Sequence, residues 1–537
     1  MTRVGVRVAM IAVPLAFLAV FFVYPVASIV GRGVVADGSL DLAPVADVIA
    51  DGHLRGVLWF TTWQATVSTL LTLVVGLPLA AALAQFEFRG REVVRSLVAV
   101  PFVLPTVVVA TAFTAVLGRG GPLGALGWDR GVAPILAAHV FFNVAVVVRA
   151  VGGFWANLDP HQVDAARVLG ASRTRAFVSV TLPRLAPALA AAATIVFLFT
   201  FTSFGVVLLL GGPGTSTLEV EIYLQTARFL DLEAAAGLAI VQLLAVIAVL
   251  VVSGRFQAER AVSQRLVGRA STARPVRTGT ERGALVATLV AAVAFLGGPL
   301  LVLVARSLDG GLDSYRALVR APRRSASFVP LDEAIRNSLM FAAAATAIAL
   351  VVGTLAAVFV ARRTSRSSRA LDLLVMLPLG TSAVTIGFGF LVALDEPPLD
   401  LRTSRWLIPI AHALVAIPFV VRIVVPALRS IDPRVRDAAA VLGASPARVW
   451  REVDLPITAR ALTVAAGFAA AISLGEFGAT IFIARPDVPT VPIAIARLLG
   501  RPGNFGTAMA MATVLMAITA AVVLLVDRVR IRDVGEF

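Results

Sequence analysis

Twelve apolar runs decide what this chain can become. They lie near 8–30, 57–84, 97–117, 134–151, 187–210, 233–252, 284–304, 337–361, 371–392, 407–425, 461–483 and 506–526. A bilayer core about 30 Å thick takes roughly 20 predominantly apolar residues as helix, and these runs have that length. Lipid offers backbone N–H and C=O groups no partners, so a spanning segment must satisfy them internally, as a helix does. The first run follows Arg3 and Arg7, as in a signal peptide. It exceeds the h-region of about 7–15 residues, so it is read as a span. Composition agrees, with 58% of the 537 residues hydrophobic and 15% charged, against about 25% charged in a soluble domain. The expected fold is all-α and polytopic, with about twelve transmembrane helices.

Certain chemistries are absent by residue type. All 47 basic residues are arginine, so a P-loop, whose lysine reaches the nucleotide phosphates, cannot form in this chain. With no cysteine there is no disulfide, no thiolate metal site and no cysteine nucleophile. The four histidines, His53, His139, His161 and His412, lack H-E-x-x-H spacing. No catalytic residue, no metal site and no cofactor bound by this chain is expected.

Arginine also sets the expected orientation. The segments 1–7, 85–96, 152–186, 253–283, 362–370, 426–460 and 527–537, with the charges bordering them, hold 31 Arg and 14 acids, and the intervening loops hold 16 Arg and 17 acids. Cytoplasmic loops carry the arginine excess, which places both termini in the cytoplasm of a plasma-membrane protein. The net charge of +15 is dispersed over helix ends, where topology demands it, so nucleic acid is not an expected partner.

The chain repeats itself. The segment L-D-P-H-Q-V-D-A-A-R-V-L-G-A-S from Leu158 returns as I-D-P-R-V-R-D-A-A-A-V-L-G-A-S from Ile431, an offset of 273 that also carries Arg149 onto Arg422 and His139 onto His412. Upstream, Gly76 matches Gly353 and Pro101 matches Pro378 at an offset of 277. Both copies of the repeated loop fall on one side, so the repeat is parallel and the halves face each other across an axis along the membrane normal. The division expected is 1–252 as the first repeat with its loop at 152–186, 253–283 as a cytoplasmic linker, and 284–537 as the second repeat with its loop at 426–460.

Asp159-Pro160 and Asp432-Pro433 fit an N-cap followed by proline at the first helical position. Gly170 and Gly443 fit the left-handed residue that stops a helix. Ser172 and Ser445 can cap a second short helix, expected to end at Leu182-Pro183 and Leu455-Pro456. The loop is therefore a small helix-turn-helix presented twice, with alanines that let a partner surface approach closely.

The pattern D-A-A-x-x-x-G-x(9)-V-x-L-P at Asp164 and again at Asp437 resembles the E-A-A-x-x-x-G-x(9)-I-x-L-P loop of membrane subunits of bacterial binding-protein-dependent ABC importers. The likeness covers the whole chain. Fused twelve-span versions serve ferric-iron and thiamine uptake, and the stretch F-T-S-F-G-V-V-L-L-L-G-G-P-G-T-S-T-L-E-V-E-I-Y from Phe201 is similar to the thiamine type. The resemblance implies a coupling helix that seats on an ATPase subunit, formed by Asp164, Ala165, Ala166 and Gly170 with Leu182 and Pro183, and by Asp437, Ala438, Ala439 and Gly443 with Leu455 and Pro456. Aspartate stands where the family has glutamate in both copies. The resemblance further implies two copies of a separate ATPase, which hold ATP and Mg, and a periplasmic or lipid-anchored solute-binding protein.

An ionisable group within a span marks a candidate functional site. Glu476 falls in the eleventh run, and its counterpart at offset 273 is Ser203. With His139 and His412 these are the candidate residues of a translocation path. One carboxylate near the axis favours a cationic solute, and the alternative is a structural pairing with Arg485. The reading is a two-in-one permease of an ATP-driven importer, taking thiamine or its phosphates, with ferric iron second. The rival is a secondary transporter of the major facilitator type, disfavoured because the loop from Gln85 lacks G-x-x-x-D-R.

Overall fold

The computed structural model describes residues 3–36, 39–259, 274–320, 330–362, 365–395, 399–485, 488–501 and 503–532. Its principal helices are α1 (Met10–Val34), α2 (Gly52–Gln85), α3 (Arg91–Val103), α4 (Thr106–Leu117), α5 (Val132–Trp155), α6 (His161–Val168), α7 (Arg173–Phe201), α8 (Leu218–Leu224) and α9 (Leu232–Glu259) in the first half. The second half has α10 (Gly279–Ser307), α11 (Leu331–Arg362), α12 (Arg366–Gly380), α13 (Ala383–Ala393), α14 (Leu407–Arg429), α15 (Pro433–Val441), α16 (Pro446–Gly475), α17 (Val491–Leu499) and α18 (Phe505–Arg532). Among the described residues, ten helices are long and apolar enough to cross a membrane, and two bent pairs bring the number to twelve. The only β-structure among them is two pairings of two-residue strands.

Four of the apolar runs are not continuous helices. Run 97–117 is α3 and α4, bent by 105°, and run 371–392 is α12 and α13, bent by 98°. Pro105 has no N–H to continue a helix and pushes Leu104 to an extended ψ of 141°. In the second half Ser382 restarts the helix by accepting from the Thr385 N–H at 3.2 Å. Runs 187–210 and 461–483 stop early, at Phe201 and Gly475. Glu476 therefore lies just past a span rather than within one, in a break before the short helix Thr480–Ile483.

Each half is built on three mutually packed helices, α2, α5 and α7 in the first and α11, α14 and α16 in the second. The repeated glycines make the central contact possible. A Cβ on Gly76 would lie 2.8 Å from the Val147 Cβ, and one on Gly353 would lie 2.8 Å from the Val420 Cγ1, distances that would force α2 from α5 and α11 from α14.

The halves exchange their first spans. α1 packs on α11 and α13, and Leu18 and Phe22 belong to the second half's core. α10 packs on α3 and α4, and Leu296 and Leu303 belong to the first half's core. The six-span divisions of the sequence are thus not separate bodies. Of the 253–283 linker, 260–273 lie outside the described residues. α9 reaches Glu259 and α10 begins at Gly279, so helix extends into the linker from both sides. Between them Arg274–Pro275 pairs in parallel with Phe86–Glu87, with the Arg274 guanidinium 5.0 Å above the Phe86 ring.

Candidate functional site

The breaks after α7 and α16 meet at one cavity of about 360 Å³ between the halves. Its polar lining is Thr106, His139, Asn143, Thr202, Ser203 and Glu476, and the rest is mainly phenylalanine and aliphatic. Phe204 and Phe477, the residues after Ser203 and Glu476, stack with centroids 5.6 Å apart. Ser203 and Glu476, paired by the repeat, border the same space.

Each half holds its break with a histidine. His139 on α5 reaches Ser68 Oγ with Nδ1 at 3.1 Å and Ser203 Oγ with Nε2 at 2.8 Å. His412 on α14 reaches Ser473 Oγ with Nδ1 at 2.7 Å, and its Nε2 lies 2.8 Å from Thr480 Oγ1 and 3.2 Å from Glu476 Oε2. His139 lines the cavity, whereas His412 is absent from the lining and sits behind Glu476. The Glu476 carboxylate accepts from the Ala479 N–H at 2.7 Å, the Thr480 N–H at 3.0 Å and the Thr480 hydroxyl. It ends α16 and caps the short helix that follows. Its basic partner among the described residues is His412 rather than Arg485, whose guanidinium donates to the Thr403 carbonyl at 2.6 Å.

The repeated loops project from the ends of α5 and α14. Gly170 has φ +88° and Gly443 +83°, the left-handed geometry that stops α6 and α15. Asp432 caps α15 by accepting from the Arg434 N–H at 2.9 Å. In the first copy Asp159 accepts from the His161 N–H at 3.0 Å and from His161 Nδ1 at 2.7 Å, and α6 starts at His161, after Pro160. The His161 imidazole holds the Asp159 carboxyl below its ordinary value. Ser172 and Ser445 cap as expected, accepting from Arg175 and Arg448.

The second helix does not end at Leu-Pro. Residues 177–181 and 450–454 form π turns, and α7 and α16 run on into the membrane. A proline inside a helix lacks the i→i−4 bond, and the wider turn just before Leu182-Pro183 and Leu455-Pro456 absorbs that loss.

Asp164, Ala165, Asp437 and Ala438 are exposed, and Ala166 and Ala439 are half-buried. Beside them stand two bare apolar pairs, Val168 and Leu169 at 87% and 88% exposure and Val441 and Leu442 at 86% and 87%. Such pairs on an otherwise polar loop mark a surface awaiting a partner.

One residue carrying the second loop was not evident from the sequence. Asp454, fully buried, accepts from Arg436 Nε on α15 at 2.6 Å and from Arg362 at the end of α11. The first half has Val163 and Thr181 where Arg436 and Asp454 stand. There Arg173 lies 3.6 Å from Glu281, which also binds Arg274 at 2.9 Å. An acid immediately before Leu-Pro in one copy only was the available signal. Among the described residues, no group of three or more His, Asp or Glu could hold a metal ion.

The fold and site define a helical membrane protein of two like halves, with a repeated loop exposed on each and a cavity between them. The chain belongs to the family described as binding-protein-dependent transport system inner membrane component, matched twice, over residues 73–266 and 332–532. It is 30% identical over 495 residues to the thiamine transport system permease protein ThiP of Brucella abortus, covering 89% of this chain and 88% of that one. It is 27% identical to ThiP of Escherichia coli, covering 85% and 86%. It is 26% identical to "Probable ABC transporter permease protein y4fN" of Sinorhizobium fredii, covering 92% and 90%. The chain is thus the fused two-half permease subunit of an ABC importer, a multi-pass inner-membrane protein working with an ATPase subunit and a solute-binding protein. The exchanged helix α1 and all of α10 lie outside both matched stretches.

Proposed function

We propose that this permease carries thiamine or its phosphates into the cytoplasm, with both chain termini and both repeated loops on the cytoplasmic side. The observation that carries the reading is the cavity that Ser203 and Glu476 both line, beside the stacked Phe204–Phe477 pair. Aromatic faces attract a desolvated cation, and the ring-shaped thiazolium of thiamine has the size and charge for such a space. His139, Ser203 and Glu476 border the path, and His412 holds Glu476 in place. Relatives named for thiamine transport support the same solute.

Two ATPase copies serve the chain, one on Asp164, Ala165, Ala166 and Gly170 and one on Asp437, Ala438, Ala439 and Gly443. ATP and Mg are held by those subunits. Because α7 and α16 continue unbroken from the loops to the cavity, closing the ATPases turns both cavity walls together. Alternating access follows from that lever.

The test is thermal unfolding of the partner binding protein with candidate solutes, since a ligand that binds the native state raises its melting temperature. Thiamine or its phosphates should stabilise it at micromolar concentration, and stabilisation by ferric iron alone would overturn the assignment. A native mass of the purified complex should show two ATPase subunits per permease, and one would overturn the stoichiometry.

A further inference from the structure

A second cavity, about 770 Å³, lies beyond Phe477, which lines both spaces. Four arginines face it: Arg119 and Arg130 from the loop joining α4 to α5, Arg228 from the turn between α8 and α9, and Arg497 on α17. These elements come from both halves and lie at the ends of the spans away from the repeated loops. Asp129 is the one acid in the lining. Among the described residues, none of the four arginines makes an ion pair or a side-chain hydrogen bond. Burial, then the neighbouring Arg501, pulls the Arg497 guanidinium below its ordinary value, so the cation stands there partly desolvated and beside like charge.

Unpaired cations converging on a concave space focus its potential and raise the local concentration of anions. Guanidinium groups match phosphoryl and carboxylate oxygens in geometry as well as charge. The geometry points to an anion-binding subsite, formed by Arg119, Arg130, Arg228 and Arg497, that takes the phosphoryl or carboxylate group of a solute before it passes Phe477. The stacked Phe204–Phe477 pair then separates an anion-favouring compartment from the inner one, where Glu476 favours a cation. A solute carrying both charges is held by its two ends in succession. The direction of this passage rests on the cytoplasmic placement of the repeated loops proposed above.

The test uses the complete complex with its ATPase sites filled by a non-hydrolysable ATP analogue and inorganic pyrophosphate as the probe. Saturable stabilisation by pyrophosphate is expected. R119Q/R497Q should weaken it roughly 100-fold, about tenfold for each charge-assisted hydrogen bond removed, while R119K/R497K retains binding within about tenfold. No saturable binding in the parent, or equal affinity in the glutamine variant, would overturn the subsite. In proteoliposomes, the ratio of thiamine monophosphate to thiamine uptake should fall in R119Q/R497Q. Equal loss of both solutes would instead assign the arginines to binding-protein docking. If neither solute is taken up, the thiamine reading fails and the pyrophosphate titration alone decides the subsite.

Discussion

At the residue scale, the carboxylate of Glu476 is already committed. Its two oxygens take the Ala479 and Thr480 N–H groups, the Thr480 hydroxyl and the contact with His412. Little acceptor capacity is left for a solute, so its charge acts on the cavity through space while its oxygens hold the break in the helix. Glu476→Gln replaces one acceptor oxygen by a donor facing other donors. Hydrogen bonds to a buried charged group are worth about 1.5–3 kcal/mol, so the melting temperature of the complex should fall along with uptake. Lost uptake at an unchanged melting temperature would mean that the carboxylate binds solute directly. Asp454 predicts a larger effect. Asp454→Asn leaves Arg362 and Arg436 without their shared anion, a destabilisation of about 3–5 kcal/mol for a broken buried pair. Limited proteolysis should then cut the second repeated loop before the first, and equal cutting of both loops would contradict the clamp.

At the element scale, the two loops were legible because their signals are local. Caps, proline positions and stop glycines act within four or five residues, and Asp432, Ser172, Ser445, Gly170 and Gly443 do what their types and spacing imply. The bends at Pro105 and Ser382 and the breaks at Glu476 and Ser203 were not legible, because a run of apolar residues has the same hydropathy whether it bends or not. The exchange of α1 and α10 was hidden for a related reason: which neighbour a uniformly apolar helix packs on is decided by shape. The ionic clamp on the second loop joins residues 18 and 92 positions apart and leaves no periodic trace. A Cβ on Gly443 would meet nothing within 4 Å, so its replacement is limited by backbone geometry alone. Gly443→Val forces a branched residue into a left-handed conformation at about 1–2 kcal/mol and should tilt α15. Gly443→Asn, which tolerates that region, should retain transport. Coupled ATP hydrolysis measured on both variants at equal expression checks this, and parental rates for Gly443→Val would contradict it.

At the scale of the whole molecule, the chain is two permease halves tied by exchanged spans and by two long levers, α7 and α16, that run from the exposed loops to the shared cavity. Membership of the binding-protein-dependent permease family assigns the work to ATP hydrolysis on a separate subunit, and it separates this chain from a secondary transporter of similar span number. Reconstituted in proteoliposomes, the complex should accumulate the solute that stabilises its binding protein only when ATP is on the side of the repeated loops and the loaded binding protein is on the other. Uptake that proceeds without ATP and follows an imposed proton or sodium gradient would contradict an ATP-driven importer.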